Sequence, residues 1–493
     1  MNRFLHKYDN KLPALLGVLL FIYLLFRVIL MPITIDEYTS INVHASMSWW
    51  DIIKTGQPNI VWAPNNHILN TLFIKLEWAI FGKKDWALRL HILGAFVVCF
   101  IYTVKIFQRI TTSKIRQVLY LIIFFVNPYL LDFFGIARGY ALSIAAFNAA
   151  FYYFMLYTEE LKIKNLRYAF VSLFLAVWAN FSALYVLTLI VVLFCYLIYS
   201  NRKTIRIKQA FLAMAIACCG IAGIIIVPLL KTLRSEESYG GKTGLFQDTV
   251  VNYIYQFIHF NPYINRHAVF APGWKYIEVA GIGFLLLWLL FQFTGILIKS
   301  SKYLTRLQYY CLFLVFGIAG IAEFLFIFFH VPLPSGRTEL LYAVPFYIGI
   351  CVVFEIIILK WKFAVIPVYL MAIFSCWHTY SSVNFDKTIE WWQTGDAKRV
   401  VRYLKEDLGG KSNPKKQTIG IETWQYPSLA FYTETVFKDE LNTQWTDLGV
   451  DNHYDYLFVS EEKTNMVWPD YELLKKFRYG SLFKLKSNEI RSQ

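Results

Sequence analysis

Two adjacent carboxylates, Asp36 and Glu37, follow the first long apolar run, in Met31-Pro-Ile-Thr-Ile-Asp-Glu-Tyr38. An acidic pair at a membrane boundary is costly to desolvate. Beside apolar surface a carboxyl gains proton affinity and can take a proton from a hydroxyl. The chemistry suggested is that of a general base working on a lipid-borne substrate; the plainer alternative is a pair of solvated loop charges.

Other polar residues stand where an anionic substrate would need them. Trp62-Ala-Pro-Asn-Asn-His-Ile-Leu-Asn70 puts Asn66 and His67 at the start of an expected helix, whose N-terminus favours anions. His67 suits a phosphate, a sugar hydroxyl or a metal, or simply caps the helix. Asn127-Pro-Tyr-Leu-Leu-Asp-Phe-Phe-Gly-Ile-Ala-Arg-Gly-Tyr140 sets Arg138 among Phe, Ala and Gly. A phosphate matches its planar fork, and Asp132 or a snorkelling pose is the alternative. Gly139 would let a ligand approach the backbone, and Tyr140 closes the same substrate-binding motif. Arg337 and Glu339 open a later helix in His330-Val-Pro-Leu-Pro-Ser-Gly-Arg-Thr-Glu-Leu-Leu-Tyr-Ala-Val-Pro345, either as a phosphate site or as an internal pair. Arg89, a turn into its helix in Asp85-Trp-Ala-Leu-Arg89, needs an acidic partner, Asp36 or Glu37. No cofactor is certain. A divalent metal held by His67, Asp36 and Glu37 stays open, because nothing fixes that spacing.

These residues are carried by a chain built for lipid. Of 493 residues, 57% are hydrophobic and only 16% charged. Soluble chains are about half apolar and about a quarter charged, and one core stops growing near ~250–300 residues. Disorder, collagen, coiled coil and a small disulfide scaffold are excluded. All seven cysteines lie inside apolar runs and read as small buried hydrophobes. The net charge of +15 is spread over short loops, so membrane topology explains it better than nucleic acid, which is not an expected partner. No P-loop, GxGxxG after a strand, HExxH or GxSxG is present.

Eleven spans are expected, at roughly 12–31, 86–107, 116–132, 137–157, 168–181, 183–199, 209–230, 275–298, 308–330, 338–358 and 363–380. Basic residues then fall on one side, in the N-terminus, 108–115, 158–167, 200–208, 299–307 and 359–362. By the positive-inside rule that side is cytoplasmic, the N-terminus is inside and the C-terminus outside. The opposite face holds a long loop at 32–85, a basic loop at 231–274 and a tail from about 385. In the first outer loop, Ile41 to Ile53 and Ile68 to Ile80 recur at helical spacing but are too polar or short to span. Two interfacial helices are expected there, with Trp49, Trp50 and Trp78 at headgroup level. In the tail, a helix over 395–407 and strands at Thr418–Thr423, Tyr454–Ser460 and Ser481–Lys486 indicate a small α/β domain. The fold class is an all-α polytopic membrane bundle over 1–384 with an extracytoplasmic α/β domain over 385–493.

The pattern resembles the GT-C glycosyltransferases, which include the protein O-mannosyltransferases and the lipid A aminoarabinose transferases. The likeness lies in Asp36-Glu37 after the first span, and in the outer loop running through Pro64-Asn-Asn-His67 to Trp86-Ala-Leu-Arg-Leu90. It continues in Asn127-Pro…Ala-Arg-Gly-Tyr140 and Arg337-Thr-Glu-Leu-Leu-Tyr-Ala-Val-Pro345, and covers about residues 10–380. Relatives often carry a Pro-Pro pair where this chain has Asn65-Asn66-His67. The resemblance implies Asp36 as the catalytic base, with Glu37 positioning substrate or assisting a metal. It implies a polyprenyl-phosphate sugar as donor and a hydroxyl of a glycan, lipid or protein as acceptor. The expected setting is the outer face of a multi-pass plasma (inner) membrane, in cell-envelope glycan biosynthesis. One-step displacement would invert the anomeric carbon, with Arg138 and Arg337 stabilising charge on the leaving phosphate. A transporter or flippase of a lipid-linked glycan is the main rival; it would not need the acidic pair and usually shows internal repeats. A glycan polymerase or ligase is the nearer competitor.

Overall fold

The computed structural model describes residues 11–54, 67–200, 240–255, 274–298, 301–408, 417–437, 441–446, 454–467 and 469–486. Helices occupy ten of the eleven expected spans: α1 (Leu12–Leu30), α5 (Leu90–Ile110), α6 (Lys114–Phe125) with α7 (Pro128–Phe133), α8 (Gly139–Glu160), α9 (Ile163–Ala179), α10 (Ala183–Ser200), α11 (Trp274–Leu297), α12 (Lys302–Phe329), α13 (Leu340–Lys360) and α14 (Val365–Ser382). The span at 209–230 lies outside the described residues. Six described segments are long and apolar enough to cross a membrane: Leu12–Leu30, Ala87–Ile110, Gly139–Glu160, Lys302–Phe329, Gly336–Lys360 and Lys362–Ser382. The chain is a multi-pass membrane protein.

Burial divides these helices by role. Nearly every residue of α13 is buried, and it packs against α6, α8, α11 and α12. A helix apolar all round belongs in the centre. By contrast α1, α12 and α14 expose Leu19, Phe26, Phe328, Phe329, Leu370 and Ile373, the surface a bilayer would cover. Two cysteines depart from the expected burial, since Cys195 on α10 and Cys376 on α14 face outward. Both still lie on apolar helices, where lipid takes the place of a protein core.

One expected span is broken. Proline lacks an N–H and disfavours helix at the residue before it. Asn127 is accordingly extended (φ −135°, ψ 123°), and its side chain accepts from the Leu130 N–H at 3.1 Å to cap α7. Continuous helix over 116–132 thus becomes α6 and a separate short α7.

The first outer loop departs in a similar way. Helix α2 (Ile35–Thr39) runs into a π-helical turn, Ser40–His44, and Ser48 restarts the chain as α3 (Trp49–Ile53). The single helix expected over 41–53 is therefore two pieces. The second is continuous, as α4 (Ile68–Phe81). Trp49 and Trp50 are exposed. Trp78 instead packs, half-buried, against the C-terminal core.

That core belongs to a mixed five-stranded sheet of order β2-β1-β3-β5-β4. It follows α15 (Ala397–Leu408) and comprises β1 (Gln417–Glu422), α16 (Tyr426–Phe437), β2 (Leu441–Thr446), β3 (Tyr456–Ser460), β4 (Tyr471–Lys476) and β5 (Gly480–Leu485). Strand β1 pairs in parallel with β2 and β3, and β5 runs antiparallel to β3 and β4. Helix α15 and the three expected strands match the pattern read from sequence, while β2, β4 and α16 are additional. The sheet does not close its own core: Val400, Leu404, Ile421, Leu429 and Phe458 pack in one cluster with Ile33, Ile41, Ile74, Leu88 and Ala137 of the membrane part. The docking is also polar. The Tyr432 hydroxyl accepts from the Ile33 N–H at 2.9 Å and donates to Asp85 at 2.8 Å, while Lys398 reaches Asp85 at 2.6 Å.

Candidate active site

Asp36 and Glu37 are neighbours on α2, yet their surroundings differ. The turn begins with Thr34, whose hydroxyl accepts from the Glu37 N–H, while the Glu37 carboxylate accepts from the Thr34 N–H at 2.8 Å. This capping box satisfies two helix-end donors reciprocally and fixes Glu37 pointing inward. The Glu37 oxygens then take Arg89 Nε at 2.6 Å, Arg89 Nη2 at 2.7 Å and the Ala137 N–H at 2.7 Å. Arg89 spends its other donors on the carbonyls of Val28, Met31 and Pro32. Both side chains are fully buried. The two carboxylates are therefore divided: four protein donors hold Glu37, and Arg89 finds in it one of the two acidic partners expected for it.

Asp36 faces the other way and is slightly exposed. Two guanidinium groups converge on its Oδ2, Arg138 Nη2 at 3.1 Å and Arg337 Nη1 at 2.7 Å. They come from distant segments. Arg138 caps α8 and also donates to Ser40 Oγ at 2.9 Å. Arg337 sits in the 3-10 turn Gly336–Glu339 that leads into α13, with its guanidinium over the Trp391 ring at 5.4 Å. Neither simpler pairing holds. Asp132 goes to Arg27 at 2.6 Å rather than to Arg138, and Arg337 turns to Asp36 and Glu390 rather than to Glu339. Glu339 is buried next to Asn252 and Gly336.

His67 and Tyr140 pack beside this cluster, their rings 4.9 Å apart and nearly edge to face. His67 Nδ1 lies 2.9 Å from the Ala179 carbonyl, which can only accept, so Nδ1 carries the proton and Nε2 is left as an acceptor. Among the described atoms, His67 Nε2 and both ring nitrogens of His44 are buried without a hydrogen-bond partner. Burial, reinforced by Arg138, drives the His44 pKa down to about 4 and holds His67 well below the usual range. Both imidazoles are neutral. Gly139 is needed for a different reason from the one expected: a side chain there would strike the Ala179 carbonyl and would meet His67 Cβ at 2.8 Å. Protein, rather than ligand, fills that space. Asn66 lies outside the described residues.

The sequence reading missed Glu390. It follows α14 in a segment pinned by an Arg27–Asp132 clasp, in which Arg27 Nη2 donates to the Lys387 carbonyl at 3.0 Å and Asp132 accepts from the Ile389 N–H at 2.7 Å. The clasp delivers Glu390 Oε2 to 3.5 Å from Arg337 Nη1, and the Tyr129 hydroxyl donates to Oε1 at 2.7 Å. Burial pushes the Glu390 carboxyl above the usual range, against the pull of Arg337. The one signal in the sequence is its place, an acid ahead of Trp391-Trp392 shortly after the last span, mirroring Asp36 shortly after the first.

The donor set does not suit a divalent cation. Asp36 is taken by two arginines, Glu37 by a third, and His67 Nδ1 by a carbonyl. Among the described residues no three of His, Cys, Asp and Glu gather as metal ligands. A guanidinium pair facing a buried boundary suits an anion with several oxygens, such as a phosphate.

No family model matches the chain, and no curated protein matches it. Among solved structures it is similar to ArnT from Cupriavidus metallidurans bound to undecaprenyl phosphate, at 10% identity and TM-score 0.42, over 95% of this chain and 97% of that one. The apo state of that protein gives 11% identity and TM-score 0.43 over the same shares. The Archaeoglobus fulgidus oligosaccharyltransferase, in complex with Zn and sulfate, gives 13% and 0.42, over 90% of this chain and 68% of that one.

Proposed function

We propose that this protein is a membrane glycosyltransferase that moves a sugar from a polyprenyl-phosphate donor to a hydroxyl acceptor at the outer face of the membrane. The reading is carried by one observation: Arg138 and Arg337 converge on the single carboxylate Asp36 where α2 leaves the bundle. In the resting geometry the carboxylate stands where a phosphate would stand. When the donor arrives, its phosphate takes the two guanidinium groups and Asp36 is released as a base.

The acceptor hydroxyl then gives its proton to Asp36 while its oxygen attacks the anomeric carbon. The bond from that carbon to the phosphate oxygen breaks, and its electron pair stays on the phosphate. Arg138 and Arg337 meet the growing charge in a largely buried site, where such contacts are strongest. Attack opposite the leaving group inverts the anomeric centre. His67 Nε2 would accept from a sugar hydroxyl. The prenyl chain has a candidate berth in an apolar groove of ≈ 450 Å³ between α6 and α14, lined by Leu119, Ile122, Tyr369, Ile373, Trp377 and Tyr380. The sheet unit over 385–493, packed behind α2, is read as a domain on the same outer side that helps hold the acceptor.

The test is lipid-linked sugar analysis in cells carrying wild type or Asp36→Asn. Accumulation of a polyprenyl-phosphate sugar, with one glycan short of a residue, is the expected result and names donor and acceptor. Unchanged lipid pools and glycans, with the variant present in the membrane, would overturn the transferase reading in favour of a carrier of lipid-linked glycan.

A further inference from the structure

We infer that Glu390 is a positioning residue that competes with Asp36 for Arg337, and that its ionisation sets how strongly the site holds a lipid phosphate. The inference rests on the donor reading above.

Three observations support it. First, the two carboxylates share one nitrogen, since Arg337 Nη1 lies 2.7 Å from Asp36 Oδ2 and 3.5 Å from Glu390 Oε2. A phosphate entering the site must win the same group. Second, Glu390 is fixed in place rather than mobile. Tyr129 donates to one oxygen, the Arg337 backbone N–H points at the carboxylate, and the Arg27–Asp132 clasp holds the preceding residues. Third, Glu390 is placed to titrate. Burial raises its pKa, whereas Arg337, Tyr129 and the Arg337 N–H pull it back. The other charged or titratable groups that feel it are Asp36, Glu339 and Tyr140.

The sign follows. Below its raised pKa Glu390 is neutral, and Arg337 answers to Asp36 alone. As pH rises through that pKa a second negative charge appears beside the guanidinium, and an incoming anion is held less well. The phosphate has the opposite trend, because its second ionisation near pH ~6 adds charge as pH rises. Comparing wild type with a Glu390→Gln variant cancels the phosphate's contribution.

The experiment is equilibrium binding of a polyprenyl monophosphate to the full-length protein in detergent from about pH 5 to about pH 8. The ratio of wild-type to Glu390→Gln Kd is expected to lie near one at the acid end and to rise to about tenfold at the alkaline end. Tyr129→Phe removes a hydrogen bond that favours the charged form. It should move the wild-type rise to higher pH, and it serves as the test if Glu390→Gln fails to fold. A ratio independent of pH, or no displacement with Tyr129→Phe, would overturn the role of Glu390 and leave the donor reading standing. Absence of binding by the wild type at every pH would overturn both.

Discussion

The segment Gly336–Lys360 has a buried arginine near one end and a buried carboxylate near the other, about 27 Å apart along the axis. At the far end Glu355 takes Arg116 Nε at 2.9 Å and Nη2 at 3.0 Å, one nitrogen to each oxygen, and Tyr120 completes the shell at 3.0 Å. One cation meets one anion in a matched fork. At the near end two guanidinium groups crowd onto a single Asp36 oxygen, and one of them also reaches a second carboxylate. The first arrangement is a finished ion pair. The second is shared rather than matched: two cations meet on one oxygen, and one of them divides itself between two carboxylates. A buried ion pair is weak evidence of stability; its stoichiometry says more about its purpose.

That contrast can be broken most directly at Asp36. Asp36→Asn should lower turnover per folded molecule by ~10²–10⁴-fold, at an unchanged membrane level. Glu355→Gln should do the reverse, lowering the midpoint while leaving turnover per folded molecule unchanged; a loss of turnover there would erase the distinction. Arg89→Met should destabilise by ~3–5 kcal/mol, because Glu37 would be left as an uncompensated buried charge. Thermal unfolding in detergent reads this, and a stable Arg89→Met protein would mean that the Glu37 pair is not structural.

Arg138→Ala and Arg337→Ala should each cost ~2–4 kcal/mol of transition-state stabilisation, read as a fall in kcat/KM for the donor. Unchanged donor kinetics in both would remove the phosphate role. Smallest is Tyr432→Phe, which removes the donor to Asp85 and the acceptor for Ile33. A loss of ~1–3 kcal/mol in stability is expected, because the buried Ile33 N–H is left unsatisfied, with turnover nearly intact.

The helices were legible because length and apolarity are local properties, and α1, α8, α12 and α13 lie close to where those properties put them. The break at Asn127 was legible in principle, since Pro128 forbids what the hydropathy suggests. Asp36, Arg138 and Arg337 could be picked out one by one, because each is a charge at the end of an apolar run. Their meeting could not, since it depends on how α2, α8 and α13 are arranged. The division of labour between Asp36 and Glu37 was hidden as well: it is decided by one capping box and by the reach of Arg89. Glu390 lies in a stretch without periodicity, and its partners Tyr129 and Arg337 are 261 and 53 residues away in the chain.

The bond between the Ile33 N–H and the Tyr432 hydroxyl spans 399 residues, and the cluster behind α2 is completed by side chains from the last hundred positions. A nascent chain emerging from the ribosome would insert its helices one after another while the turn bearing Asp36 still lacked its backing. The pocket around Asp36 would close only once α15 and α16 had docked behind it. Removing α16 alone would strip the cover from Ile33, Ile41 and Leu88 and leave the turn that bears Asp36 without its support.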